Sequence, residues 1–101
     1  MIRETKMVND QMQLILTGSI YVEDAKEMRE TLTSFIDKGQ TSFLIDLSQV
    51  DYIDSTGLGM LVSIRKRAIQ GGGNIKLQGL QGLVKELFEM TRLTKVFEIQ
   101  Q

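Results

Sequence analysis

Polar and apolar residues alternate near the start of the chain. Residues 11–18 place apolar side chains on one side and polar ones on the other, a period of two that predicts a strand ending at Gly18. Residues 2–8 have a weaker pattern, which predicts an edge strand. The Asn9-Asp10 pair tolerates left-handed backbone angles, so we expect a tight turn that joins the two strands into a hairpin.

Three later stretches have the period of an α-helix. The first covers residues 23–38, and Gly39 follows it as the residue that ends the helix. The second follows a loop over residues 54–59 and runs to about Gln70, and the third covers residues 82–91. The stripe expected to be buried on the second helix consists of Leu58, Leu61, Val62, Ala68 and Ile69. The inward side chains expected on the third helix are Leu83, Val84, Leu87 and Phe88.

Short apolar runs between these helices predict further strands. They cover residues 42–47 and 74–78, and residues 96–99 add either a last strand or a packed tail. Strands that alternate with helices predict an α/β fold, with a mixed, mostly parallel sheet of four to five strands and three to four helices. No linker or repeat interrupts the pattern, so residues 1–101 are expected to form one domain.

The composition excludes several classes of function. The chain has no His and no Cys, which excludes a Ser-His-Asp triad, a thiol nucleophile and a zinc–thiolate site. No acidic cluster has calcium-binding spacing, so we expect no metal. No cofactor motif is present, and an enzyme would have only carboxylates, hydroxyls and amines to work with, so we expect no cofactor and no enzyme activity. A net charge of −1 does not favour nucleic acid. No apolar run approaches the roughly 20 residues that span a bilayer, so we expect no membrane insertion and a cytoplasmic location.

The segment around Ser55 is the candidate site. It places a hydroxyl where a helix begins, beside Gly57 and Gly59, which leave the helix start bare. Catalysis by Ser55 would need a base other than His, so it is disfavoured. Two readings stay balanced on these residues alone: a simple helix cap by Asp54, Ser55 or Thr56, or a surface for a partner protein. Met60 and Ile64 fall outside the predicted buried stripe, and two exposed apolar side chains there would favour the partner surface.

The run from Phe43 to Gly59 resembles the signature of the STAS domain, in particular that of bacterial anti-sigma factor antagonists. The resemblance implies that Ser55 is phosphorylated by an anti-sigma factor that is also a serine kinase. It implies that the unmodified protein binds this kinase and frees the sigma factor, and that a serine phosphatase resets the cycle. It further implies that Asp54 orients the site, and that four neighbours form the interface or its loop: Thr56, Gly57, Leu58 and Gly59.

The sequence departs from the family pattern in two places. Ser19-Ile20-Tyr21 stands where the family commonly has two acids near the kinase-binding edge, which makes Tyr21 a candidate contact of a different kind. Arg92 stands where a Gly often follows the last helix. Two related functions stay open: a partner switch that controls something other than a sigma factor, and a non-catalytic adaptor subunit of a membrane lipid transporter.

Overall fold

The computed structural model of the protein describes residues 2–100, so the predicted domain limits, residues 1 and 101, lie outside the described part. The predicted order of elements is confirmed, and of the two alternatives for the end of the chain the structure has the strand, at Glu98–Gln100. The elements are β1 (Ile2–Val8), β2 (Gln11–Ile20), α1 (Val22–Asp37), β3 (Ser42–Ile53), α2 (Ser55–Gln70), β4 (Asn74–Gln78), α3 (Gly82–Met90), a 3₁₀ turn (Leu93–Lys95) and β5 (Glu98–Gln100).

The five strands lie in the sheet in the order in which they occur in the chain. β1 is antiparallel to β2, and β2, β3, β4 and β5 are parallel to their neighbours. The three β–α–β crossovers therefore all step in the same direction. Because such crossovers are right-handed, α1, α2 and α3 pack on one face of the sheet. The expected α/β class and mixed, mostly parallel sheet are confirmed.

The core lies between this face and the helices. On β3 the side chains of Phe43, Ile45 and Leu47 are fully buried. They belong to one cluster with buried residues of all three helices. Leu44 points to the other face and lies outside that cluster, although it is only 4% exposed. The helices thus cover one face of the sheet, and side chains of neighbouring strands shield the apolar centre of the other.

Two strands are longer than the alternation predicted. β2 does not end at Gly18 but continues to Ile20, and the register with β3 shifts between Gly18 and Ser19. Gly18 has φ +81°, a left-handed conformation that suits a glycine in such a bulge. β3 likewise runs on from Leu47 to Ile53. The two extensions pair with each other and carry the chain to the edge of the sheet where α1 and α2 begin.

The buried stripe of α2 is rotated relative to the prediction. Met60 and Ile64 were expected to be exposed, but their side chains are 1% and 0% exposed and belong to the core. Ile69, expected to be buried, is 44% exposed, and Leu83 of α3, also expected to point inward, is 48% exposed. The sheet and α1 both pack against α2, so its buried arc is centred closer to α1 than the sequence pattern indicated.

No helix within residues 2–100 is long and apolar enough to cross a membrane.

Candidate functional site

The candidate site lies where β3 gives way to α2. β3 ends at Ile53, and Asp54 takes extended backbone angles (φ −90°, ψ −179°) as the N-cap residue of α2. The Asp54 N–H donates to the carbonyl of Ile20, 3.1 Å away, at the end of the neighbouring strand. The start of α2 is thus tied to the start of α1, since Ile20 directly precedes the N-cap residue of α1, Tyr21.

Asp54 is the residue that caps α2. Its carboxylate accepts the backbone N–H of Gly57 at 3.0 Å and the hydroxyl of Thr56. The Thr56 hydroxyl and the Gly57 N–H hold the pKa of Asp54 below its ordinary value, outweighing partial burial, which acts in the opposite direction. The predicted loop over residues 54–59 is wrong, because helical geometry begins at Ser55 immediately after this cap.

The two hydroxyls next to Asp54 differ in their surroundings. The Thr56 hydroxyl is occupied by its hydrogen bond to Asp54. Ser55 is exposed at the first position of α2, and its hydroxyl has no hydrogen-bond partner among residues 2–100. Ser55 is therefore the hydroxyl at this helix start that a second protein reaches without first breaking an internal contact.

The two glycines of the first turns serve different purposes. A Cβ on Gly57 would lie 2.6 Å from Ile53 Cγ1 and 3.1 Å from Ile20 Cγ2, so Gly57 lets the helix approach the strand ends closely. A Cβ on Gly59 would meet nothing within 4 Å. The bare surface predicted for this helix start therefore exists at Gly59 and not at Gly57, and Leu58 between them is 8% exposed.

Two residues that were predicted to form part of an exposed partner surface, Met60 and Ile64, are buried. Ile64 is completely buried beneath the helix, so it offers no contact to a partner. Met60 is 1% exposed, yet its side chain lines the floor of a groove described below. The prediction that both are exposed apolar residues beside Ser55 is therefore wrong, because both belong to the hydrophobic core.

An exposed aromatic pair lies at the corner where α1 begins. Tyr21 is 52% exposed, and its ring centroid lies 5.8 Å from that of Tyr52 on β3, at a tilt of 43°. The backbone N–H of Tyr21 donates to the Asp24 carboxylate at 3.2 Å, which fixes the first turn of α1. Val22, the next residue, is 58% exposed. Apolar surface therefore stands at the position where the sequence resemblance leads one to expect acids.

A groove of about 240 Å³ runs between the first turns of α1 and α2. Its lining residues come from both helices and are Val22, Ala25, Lys26, Arg29, Thr56 and Met60. Sequence analysis identified the α2 side of this site and missed Lys26 and Arg29. The signal that could have revealed them is the separation of charge around α1, since neither Glu23 nor Glu27 lines the groove.

Asp46, the acid of the β3 signature, has a structural position. Its carboxylate accepts the Ser48 N–H at 2.8 Å and the Gln78 side-chain amide at 3.1 Å. Partial burial alone would raise the pKa of Asp46, but the hydrogen bonds from Ser48 and Gln78 outweigh it and leave the pKa below the ordinary value. Asp46 thereby ties the middle of β3 to the carboxyl end of β4.

Within residues 2–100, no three acidic side chains are grouped in a way that could hold a metal ion.

Comparison with known proteins gives matches over nearly the whole chain. The sequence profile of the STAS domain matches residues 3–101. The anti-sigma-B factor antagonist of Bacillus subtilis is 33% identical over 96 residues, covering 95% of this chain and 87% of that protein. A crystal structure of a Thermotoga maritima protein superposes with a TM-score of 0.90 at 27% identity, over 97% of this chain and 85% of the other. The Bacillus cell fate determinant SpoIIAA in its phosphorylated form shares the fold, with a TM-score of 0.76 at 16% identity over 97% of this chain and 90% of the other.

Proposed function

Because the chain belongs to the STAS domain family, we propose that it is an anti-sigma factor antagonist that is switched by phosphorylation of Ser55. Without phosphate it binds an anti-sigma factor that is also a serine kinase, and the sigma factor is released. The kinase then transfers the γ-phosphoryl group of ATP to the Ser55 hydroxyl, and the complex dissociates. A serine phosphatase removes the phosphate, and the cycle runs in the cytoplasm, where sigma factors meet RNA polymerase.

The observation that carries this proposal is the free hydroxyl of Ser55 on an exposed, firmly capped helix start. A phosphoacceptor must enter the active site of its kinase, and Ser55 is accessible without local unfolding. The relatives support the same reading, since the Bacillus subtilis protein is an antagonist of an anti-sigma factor and SpoIIAA exists in a phosphorylated form.

The surroundings of Ser55 suit an interface that closes around it. Gly59 leaves open space one turn further along α2. Thr56, next to Ser55 in the chain, and Tyr21, which follows the Ile20 that pairs with Asp54, are both exposed. These small and aromatic groups let a partner approach Ser55 at close range. Asp54 supports this surface indirectly, because its carboxylate binds the Gly57 N–H and so holds the first turn of α2 in place.

The expected effect of phosphate follows from charge. A phosphoserine adds about −1.5 to −2 charges at neutral pH, and the helix N-terminus on which it sits tolerates negative charge. The fold of the antagonist therefore stays intact, while a partner packed against Ser55 meets a desolvated dianion. A 100-fold loss of affinity requires only about 2.7 kcal/mol, which a charge forced into a close interface readily supplies.

The test is a pull-down from the native cell lysate with wild type, Ser55→Ala and Ser55→Asp, followed by identification of the partners by mass spectrometry. We expect wild type and Ser55→Ala to retain an anti-sigma factor with a kinase domain, and Ser55→Asp to lose it. Ser34→Asp is the matched control, because it adds the same charge at an exposed position near the other end of α1 and should retain the partner.

A second step uses the purified partner with ATP. Wild type should gain one phosphate by intact-mass measurement, and Ser55→Ala none. If Ser55→Asp retains the anti-sigma factor as well as wild type does, the switch is refuted. If all variants instead retain a subunit of a membrane lipid transporter, the adaptor function replaces the proposed one.

A further inference from the structure

The groove between α1 and α2 is bordered by two cations that form no ion pair within the described residues. Lys26 and Arg29 are exposed on its α1 wall, and neither forms an ion pair or hydrogen bond within residues 2–100. The facing wall belongs to α2, which contains no acidic residue from Ser55 to Gln70. The nearest acid of that wall is Asp54, whose carboxylate already accepts two hydrogen bonds at the helix cap.

None of the other acids near Lys26 and Arg29 forms an ion pair with either of them within residues 2–100. Glu23 and Glu27 do not line the groove. Arg29 also borders a second cavity that includes Glu30 and Asp37. Asp37 is paired with Arg67 at 3.2 Å, and Glu30 forms no ion pair with Arg29. The two cations beside the groove are thus available for a carboxylate that comes from outside the chain.

The interior of the groove is apolar. Its floor and rim are formed by Ala25, Met60 and Val22, of which Val22 is 58% exposed. A volume of about 240 Å³ accommodates a side chain of the size of Leu or Phe. Apolar anchors that fill such a pocket, with a charged pair at the rim, are the usual source of affinity and specificity in protein interfaces.

We infer that this groove receives a segment of the partner protein that carries an apolar side chain next to a carboxylate, the first filling the groove and the second pairing with Lys26 and Arg29. The inference rests on the proposed function, because the partner is the anti-sigma factor that also acts on Ser55. It names the chemistry of the partner surface: acidic and apolar, rather than basic.

The location links the groove to the switch. Thr56 lines the groove and Ser55 is its neighbour in the first turn of α2. The charge of about −2 that phosphorylation adds is equal and opposite to the two cations of the groove. A phosphate on Ser55 therefore cancels the attraction for an acidic partner, in addition to blocking its approach.

The test measures the affinity of the purified anti-sigma factor recovered by wild type, using isothermal titration calorimetry at two salt concentrations. Lys26→Glu and Arg29→Glu should each weaken binding about tenfold and the double variant about 100-fold, with a smaller salt dependence than wild type. Lys95→Glu is the matched control, since it makes the same charge change at an exposed position on the 3₁₀ turn, and should stay within about twofold of wild type. Lys26→Gln and Arg29→Gln repeat the test with neutral residues if a charge reversal impairs folding.

The outcomes separate the two claims. If the double variant binds as tightly as wild type while Ser55→Asp does not bind, the groove assignment is overturned and the phosphorylation switch stands. If Lys95→Glu weakens binding as much as the groove variants do, the effect is one of overall charge and the assignment is again overturned. If wild type retains no anti-sigma factor at all, the proposed function fails and the inference fails with it.

Discussion

Two glycines of α2, only two positions apart, should respond in opposite ways to the same substitution. In Gly57→Ala the new methyl would lie 2.6 Å from Ile53 Cγ1 and 3.1 Å from Ile20 Cγ2. Ile53 and Ile20 are 1% and 0% exposed, so neither side chain has room to move aside. Overpacking of this kind costs about 1–3 kcal/mol, against a gain of up to about 1 kcal/mol in helix propensity. We expect a net loss of about 1 kcal/mol.

In Gly59→Ala the methyl meets no atom within 4 Å. The gain in helix propensity, about 0.5–1 kcal/mol, is then not offset, and the variant should be more stable than wild type. The two variants should differ by roughly 2 kcal/mol in the free energy of unfolding. For a domain of this size that difference corresponds to about 8–16 °C in Tm.

Urea and thermal unfolding followed by circular dichroism measure both values, with wild type as the reference. The reasoning is refuted if the two variants shift stability in the same direction. A binding measurement adds a second contrast, because the Gly59→Ala methyl lies on the proposed partner surface. Gly59→Ala should therefore weaken binding of the anti-sigma factor even though it stabilises the fold, whereas a variant that weakens binding only through misfolding would show both losses together.

Three further substitutions test single features of the structure. Arg92 has φ +61° after α3; Arg92→Gly should stabilise the protein by about 0.5–1 kcal/mol in urea unfolding, and a lower stability would contradict the assigned backbone strain. The Thr56 hydroxyl and a backbone N–H depress the pKa of Asp54, so this carboxylate contributes to stability above about pH 4 and loses that contribution as the pH falls through the folded-state pKa. Asp54→Asn should therefore flatten the acid side of the stability–pH profile, and an unchanged profile would count against the cap. Ile64→Ala should cost about 2–5 kcal/mol because Ile64 is fully buried, while Ile69→Ala should change stability by less than about 1 kcal/mol; equal losses of stability would contradict the assignment of Ile64 and not Ile69 to the core.

The order of strands and helices was predictable because it depends on periods of two and 3.6 that survive in the sequence. The phase of α2 was not, because apolar residues surround most of this helix and give two overlapping candidate stripes. One stripe is centred on Leu58 and Ile69, and the other on Met60 and Ile64. The packing of α1 beside α2 selects the second, and this neighbour cannot be read from the α2 sequence alone.

The predicted lengths of β2 and β3 were too short for a related reason. Gly18 is normally a strand breaker, and polar residues such as Gln49 and Asp51 interrupt the apolar pattern of β3. The two extensions persist because they pair with each other, with register shifts that absorb the irregular positions. A loop over residues 54–59 was therefore predicted where the strand leads directly to a capped helix.

Only one half of the candidate site could be predicted from the sequence. Its α2 half is a continuous motif around Ser55, which is visible in the sequence, whereas its α1 half, with Lys26 and Arg29, lies about 30 residues earlier. Only the parallel pairing of β2 with β3 brings the two halves together at one edge of the sheet. Because the Asp54 cap and the close packing of Gly57 hold the helix start in place, a phosphate on Ser55 has little freedom to remodel the backbone. What it changes is the charge at the mouth of a cationic groove, so a switch built on this geometry acts through the surface that the partner meets and not through the fold.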